Sequence, residues 1–225
     1  MGGFREELKS AILERHCANH PMTDKWARGE LSRNALMGWG VEHWHWVSNV
    51  HDAAFYRCAY APRDVQMAIL GNWNEETAPE RPHLSIVLKF AAANGADVDE
   101  VKRGRGLPTT EAWVSWQVQT AKDKGWVAGV ASLVGTESQS PMLYGKVLPA
   151  LRDSYKFEED AIEHFWLHAD ADVEHGDRGF EVLERHCTTE ALKQEALYYV
   201  RESARRRWFY FDGIFLHYEM GYKLQ

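Results

Sequence analysis

The sequence lacks the features that would direct the chain to a nucleic acid or into a membrane. Its 26 Lys and Arg residues are outnumbered by 33 Asp and Glu residues, which gives a net charge of −7, whereas phosphate binding needs a basic surface. The one basic cluster, Arg205–Arg207, runs into Trp208–Phe211, and we interpret it as the solvated turn of an apolar helix. No apolar run approaches the roughly 18 residues of a membrane-spanning helix. We therefore expect neither a nucleic-acid nor a membrane partner.

Paired cysteines are also missing. The three cysteines, Cys17, Cys58 and Cys187, lie far apart and form no CxxC motif, so no disulfide framework is indicated. Residues Met1–Arg5 contain no apolar segment of the secretory type. We expect a cytoplasmic protein.

The apolar pattern is helical nearly everywhere, and no alternating run is long enough for a sheet. Repeats and flexible linkers are absent from the sequence, so we predict a single domain spanning residues 1–225 and an all-α fold, a compact bundle of seven to eight helices. The predicted segments are Phe4–Ala18, Ser32–His51, a helix after Pro62, His83–Asn94, a helix from Thr109 or Thr110, Val127–Glu137, Pro141–Leu151, Glu158–His186 and Thr189–Tyr222. A break near Gly176 or Gly179 would divide the Glu158–His186 segment into two helices.

The sharpest local signal is the spacing of His168, Asp172 and His175. On an α-helix these three positions fall within about 60° of one another. Two imidazoles and a carboxylate on one helical face suit Fe, Zn or Mn. The alternative is a solvated polar face, because Asp170 and Glu174 lie alongside.

Three further residues are candidate ligands. Glu137 ends an otherwise apolar stretch, where a buried carboxylate needs a cation or a donor; the alternative is an ordinary surface Glu. Glu76 and His83 flank Pro79 and Pro82, which forbid one continuous helix. The alternative for that pair is a polar loop.

Together these residues resemble the ligand pattern of the heme-oxygenase-like diiron oxidases. The pattern is a Glu and a His with six residues between them, a Glu about sixty residues later, and then His-x3-Asp-x2-His. The segment from Asp170 to Glu190 is also similar to the pyrroloquinoline-quinone synthases. These enzymes and the TenA-like proteins are in the same superfamily as the heme-oxygenase-like diiron oxidases. The resemblance implies a compact helical bundle, two Fe²⁺ per chain and O₂ as co-substrate. Its implied metal ligands are Glu76, His83, Glu137, His168, Asp172 and His175.

The charge of such a site agrees with iron and with an anionic substrate. Two Fe²⁺ supply four positive charges and the three carboxylates remove three, which leaves about one positive charge. A mixed nitrogen and oxygen ligand set with open positions is the arrangement that iron uses to activate oxygen, whereas structural zinc prefers a closed and often thiolate site. We therefore expect oxidation of a small organic substrate, an amino acid or another carboxylate, in a biosynthetic pathway.

A second polar face is predicted on the helix that begins at Ser32. Its four members follow helical spacing and are surrounded by large residues: Gly38, Glu42, His45 and Asn49, with Trp39, Trp44 and Trp46 nearby. We interpret this face as a pocket wall turned towards the metals. Glu42 and His45 are then the catalytic candidates, as substrate contacts or accessory ligands, and Glu42 could receive a substrate ammonium. The alternative is an exposed polar face.

Two other functional classes stay open at this stage. One is a metal-free oxidase of the pyrroloquinoline-quinone synthase kind, or a thiaminase-like hydrolase with a nucleophilic cysteine, on the same fold. The other is a non-catalytic helical binding protein, which would leave the aligned His and carboxylate positions unexplained. The aromatic tail helix, from Trp208 to Tyr218, is interpreted as core or as a dimer interface, and we expect a homodimer.

Overall fold

The computed structural model describes residues 3–79 and 83–224, apart from the side chains of residues 170–176. Over this part of the chain it contains twelve α-helices and no β-strand. From α1 to α12 the helices are Phe4–Leu13, Pro21–Ala27, Arg33–Val50, Ala53–Cys58, Arg63–Thr77, His83–Ala93, Val98–Arg103, Pro108–Asp123, Trp126–Glu137, Ser140–Asp153, Glu163–His186 and Glu190–Ile214.

The all-α prediction is confirmed, but the predicted number of helices is too low. The helices that the sequence pattern misses are α2, α4 and α7, which have only six or seven residues each. A segment of that length completes fewer than two turns, so it shows no apolar period. The first predicted helix is also too long, because the chain leaves α1 at Leu13 and forms a separate 3-10 turn at Cys17–Asn19.

The longer helices begin close to where the sequence predicts. Ser32 caps α3 by accepting a hydrogen bond from the backbone N–H of Ala35 at 3.1 Å, and Thr189 caps α12 in the same way. The prediction that Pro82 opens the helix of His83 falls outside the described residues. After Ile214 the last helix widens into a π-helical turn, Phe215–Glu219.

The long α11 runs unbroken through positions 176 and 179, so the predicted break does not occur. Gly179 serves packing instead, because a Cβ at this position would overlap the side chain of Val134 on α9. Gly135 has a similar role towards α12, since a Cβ there would lie 2.5 Å from the carbonyl oxygen of Val200. These contacts hold the end of α9 close to both long helices.

Aromatic side chains fill the core between α2, α3, α6 and α11. Trp39 contacts Trp26, Phe90 and Phe165 with ring centroids 4.9 to 5.7 Å apart, and all four side chains are fully buried. Burial of one such side chain contributes on the order of 2 kcal/mol. This core fixes the middle of α3 beside the start of α11. Among the described helices, none has both the length and the apolar character needed to cross a bilayer.

Candidate metal centre

Three helices bring ligand atoms together at one point. Glu76 lies in the last turn of α5, His83 is the first residue of α6, and His168 lies in the second turn of α11. The Nδ1 atom of His83 contacts Oε2 of Glu76 and lies 3.1 Å from Nε2 of His168. The same Nε2 lies 3.9 Å from Oε2 of Glu76. All three ligand atoms lie within 4.8 Å of one another, an arrangement that can surround one metal ion.

The electrostatics of Glu76 suit a ligand. Burial alone would raise its pKa, but hydrogen bonds with His168 and His83 outweigh burial and hold the pKa well below the usual range. Glu76 is therefore an ionised carboxylate among imidazoles. A further nitrogen is close by, because Nε2 of His51 lies 3.8 Å from Oε2 of Glu76. Burial lowers the pKa of His51, so this imidazole is neutral.

Glu137 lies at the end of α9 and lines the same cavity as the three converging ligands. The side-chain amide of Asn72 on α5 donates a hydrogen bond to Glu137 over 3.4 Å. The predicted ligands Asp172 and His175 fall on α11, but their side chains lie outside the described residues. Of the six predicted ligands, the structure thus brings four to one cavity.

These residues fit a divalent metal such as iron. The donor atoms are imidazole nitrogens and carboxylate oxygens, without a thiolate, which is a set that Fe, Mn and Zn accept. The site is also buried, since Glu76, His83 and His168 are each less than one-tenth exposed. Buried carboxylates and imidazoles that converge without a cation would leave charge and lone pairs poorly neutralised.

The cavity around this centre is lined both by the candidate ligands and by apolar and aromatic side chains. One wall consists of four residues of α3 at helical spacing and the residue that follows the helix: His43, Trp46, Val47, Val50 and His51. Pockets with largely apolar walls and a few polar groups are typical of small organic ligands.

The face of α3 that lines this cavity differs from the face that the sequence pattern predicts. Glu42 is fully buried but does not line this cavity; its carboxylate accepts hydrogen bonds from Leu107 N–H at 2.8 Å and from the Thr110 and Tyr218 hydroxyls. His45 lines a separate surface cavity on the other side of the helix. The predicted face is rotated by one residue, about 100°, from the real wall. The apolar spacing of residues 46, 47 and 50 could have identified the inward face.

The sequence pattern does not identify several residues of this cavity. His164 and Tyr144 line the same cavity as the candidate ligands, with Nε2 of the histidine 3.1 Å from the tyrosine hydroxyl. His43 stacks on Trp39 with ring centroids 4.5 Å apart. Burial lowers the pKa of both His43 and His164 well below its usual value, so both imidazoles are neutral.

Two buried arginines also line the cavity, Arg57 on α4 and Arg207 on α12. The interpretation of the 205–207 cluster as a solvated turn is wrong for its last member. The guanidinium of Arg207 donates to the carbonyl oxygen of Thr136 and to the Ser140 hydroxyl. Helical geometry turns one residue of the three inward, and a basic run in the sequence does not reveal which one.

The chain belongs to the family of iron-containing redox enzymes, whose sequence model matches residues 37–208. It is 26% identical to the 4-aminobenzoate synthase of Nitrosomonas europaea, over 96% of this chain and 92% of that protein. It is 27% identical to the pyrroloquinoline-quinone synthase of Ruegeria pomeroyi, over 72% of this chain and 70% of that protein. Its fold is similar to that of a TenA homologue from Pseudomonas syringae pv. tomato, with a TM-score of 0.82 at 13% identity, covering 94% of this chain and 92% of the other. The predicted heme-oxygenase-like relationship is confirmed.

Proposed function

We propose that the chain is an iron-dependent enzyme that uses O₂ to oxidise a small organic substrate. The observation that carries this proposal is the convergence of Glu76, His83 and His168 in the wall of one partly enclosed cavity. Membership of an iron-containing redox family supports iron over the other metals that accept the same donor atoms.

Two Fe²⁺ ions per chain are proposed, held by the six residues of the predicted pattern. Glu76, His83 and His168 supply one part of the ligand set, and Glu137 with Asp172 and His175 supply the rest. The irons, when bound, provide the electrons and the open coordination positions that O₂ chemistry requires.

The protein's own residues orient the ligands and limit access of water. The carbonyl oxygen of His164 accepts a hydrogen bond from Nδ1 of His168 at 2.7 Å and fixes the rotation of that imidazole. Trp46 and Val50 form an apolar wall, which lowers the local dielectric constant around the reacting groups. The Tyr144 hydroxyl forms a hydrogen bond with Nε2 of His164, the residue whose carbonyl oxygen holds His168.

For the substrate, we propose an amino acid or another small carboxylate, and a biosynthetic role. The relative in Nitrosomonas europaea is named a 4-aminobenzoate synthase, so an aromatic carboxylate is the product that its name gives. The aromatic cavity side chains Trp46 and Trp73 suit an aromatic or apolar carboxylate, whether it is bound as substrate or as product.

The thiaminase-like alternative needs an activated cysteine thiolate, and the cysteines do not fit it. Burial raises the pKa of Cys17 and of Cys58, and it raises that of Cys187 to about 11. A thiol with a raised pKa is a poor nucleophile at neutral pH. None of the three lines the cavity of Glu76 and His168.

Anaerobic titration with Fe²⁺, followed by measurement of O₂ uptake, tests the proposal. We expect about two irons per chain and O₂ consumption that depends on the iron. His175→Ala should lower the iron content to about one or fewer per chain while the circular dichroism spectrum stays helical. Tight binding of two irons that persists in both His168→Ala and His175→Ala would refute the ligand assignment.

A further inference from the structure

Arg57 is a buried arginine in the wall of the metal cavity that the proposed chemistry does not use. It lies on α4, is 3% exposed, and lines the cavity together with Glu76 and His168. Its Nε atom donates a hydrogen bond to the carbonyl oxygen of Gly129 at 3.2 Å. Gly129 leaves room for the arginine, because a Cβ there would lie 3.0 Å from Cγ of Arg57. The side chain is therefore held in position by α9.

The end of this side chain is not satisfied by the protein. The Nη2 atom of Arg57 is buried and has no hydrogen-bond partner among the described residues. Arg207, the other buried arginine of the cavity, differs, since its Nη1 and Nη2 atoms donate to Ser140. A buried cationic donor without an acceptor is costly, so such a group in a cavity indicates an anionic ligand.

The charge of Arg57 persists at neutral pH. Burial lowers its pKa to about 10, and the negative charge of Glu137 opposes that shift. A guanidinium with that pKa is almost fully protonated at pH 7. Its planar array of N–H donors matches the oxygen atoms of a carboxylate.

We infer that Arg57 is the anion receptor of this cavity and that its guanidinium binds the carboxylate of the substrate. The inference rests on the proposed function only in assigning the bound carboxylate to the enzyme's substrate. It changes the expected binding mode: the carboxylate is held by α4, and the organic part of the molecule extends along Trp46 towards His83 and His168. Glu42, which is outside the cavity, takes no part.

The experiment uses benzoate as the anionic probe and benzamide as its neutral counterpart of the same shape. Calorimetric titration of the metal-free chain measures both affinities, so the iron does not contribute. We expect benzoate to bind at least about 10-fold more tightly than benzamide. A 10-fold difference in affinity corresponds to about 1.4 kcal/mol, and a hydrogen bond to a charged group contributes at least about that much. Arg57→Met and Arg57→Gln should abolish the preference. Arg105→Met removes the same charge from an exposed arginine outside the cavity and should retain it.

Two outcomes would overturn the inference. One is equal affinity of the wild-type chain for benzoate and benzamide, a comparison that needs no variant to fold. The other is a benzoate preference that survives in both Arg57 variants; if those variants also lose iron, Arg57 is a counter-charge for Glu137. The result is separable from the proposed function: Arg57-dependent binding of benzoate by a chain that takes up no iron refutes the enzyme and leaves the receptor. Iron-dependent O₂ uptake without a benzoate preference supports the enzyme and refutes the receptor.

Discussion

Nδ1 of His168 lies 2.7 Å from the carbonyl oxygen of His164, one turn earlier on α11. A carbonyl oxygen can only accept, so Nδ1 carries a proton, and Nε2 is the nitrogen that lies at the point where the ligand atoms of Glu76 and His83 converge. A hydrogen bond of this kind sets the tautomer and the ring orientation of a metal-binding histidine. The geometry therefore identifies Nε2 of His168 as the ligand atom before any metal is added.

The first prediction concerns this ligand. His168→Ala removes one of the three converging donors and should weaken iron binding by about 10-fold or more. Iron content after anaerobic loading and desalting measures the loss. His45→Ala is the matched control, because it removes a buried histidine from the opposite side of α3. Equal iron content in the two variants would exclude His168 as a ligand.

The second prediction concerns Glu42, which the structure assigns to stability. Glu42→Gln replaces an oxygen acceptor by an amide that cannot satisfy all of the donors Leu107 N–H, Thr110 and Tyr218. We expect a loss of about 1–3 kcal/mol in the free energy of unfolding and an unchanged iron content. Denaturant titration and iron analysis provide the two measurements. A stable variant that loses iron would restore the role that the sequence suggested for Glu42.

The third prediction concerns Tyr218, whose hydroxyl donates a hydrogen bond to Glu42. A Cβ on Gly38 would overlap the ring of Tyr218, so Gly38→Ala should displace the tyrosine and cost about 1–3 kcal/mol of stability. Gly145→Ala is the control, since nothing lies within 4 Å of a Cβ at that helical position. That substitution should stabilise the chain by up to about 1 kcal/mol, because alanine favours a helix over glycine. Similar effects of both substitutions would mean that Tyr218 does not occupy this space.

The convergence of three candidate ligands follows from the sequence pattern more closely than the composition of the surrounding cavity walls does. Glu76, His83 and His168 were identified because their spacing resembles a family pattern, and they meet in the structure. Glu42 and His45 were misplaced because a polar residue on a helix is compatible with a buried network, a surface or a pocket. Which of these three environments a residue of α3 occupies depends on the helices that pack against α3, and those helices are far away in sequence.

The same limit explains why Arg57 was missed. Its neighbour Gly129 is distant in sequence, and a single arginine in a short helix carries no periodic signal.

Assignment of the whole chain to one domain, and of the protein to a homodimer, stays a prediction. The capped helices α3 and α12 begin within one residue of the predicted starts. The six- and seven-residue helices were not predicted, because tertiary contacts stabilise such short helices more than propensity does.

The fourth prediction separates the proposed enzyme from a cysteine-dependent hydrolase on the same fold. Each of the single variants Cys17→Ala, Cys58→Ala and Cys187→Ala should keep iron-dependent O₂ uptake per folded molecule, because all three thiols have a raised pKa and lie outside the cavity. Activity is normalised to the folded fraction from circular dichroism. Complete loss of O₂ uptake in one folded variant would contradict the assignment.

The last prediction concerns the pH dependence of stability and depends on His16. Burial, with smaller contributions from the charges of Arg207 and Lys146, lowers the pKa of His16 from 6.5 to about 4. Its Nδ1 accepts the backbone N–H of Ala18 at 3.1 Å, which only a neutral imidazole can do. The folded chain therefore binds fewer protons at His16 than the unfolded chain between pH 6.5 and about 4. Stability from this residue is complete above pH 6.5 and is lost as the pH falls through that window.

For a single histidine with these two pKa values, the loss between pH 7 and pH 5 is up to about 2 kcal/mol. His16→Asn removes the titration but keeps an oxygen acceptor for Ala18 N–H, so its stability should fall less between these two pH values. His16→Ala should lose stability at both pH values, because it lacks the acceptor, yet show the same reduced pH dependence. Urea titrations of the metal-free chains at pH 7 and pH 5 measure the differences. If both variants lose as much stability as the wild type, His16 is protonated in the folded chain and its buried, neutral state is excluded.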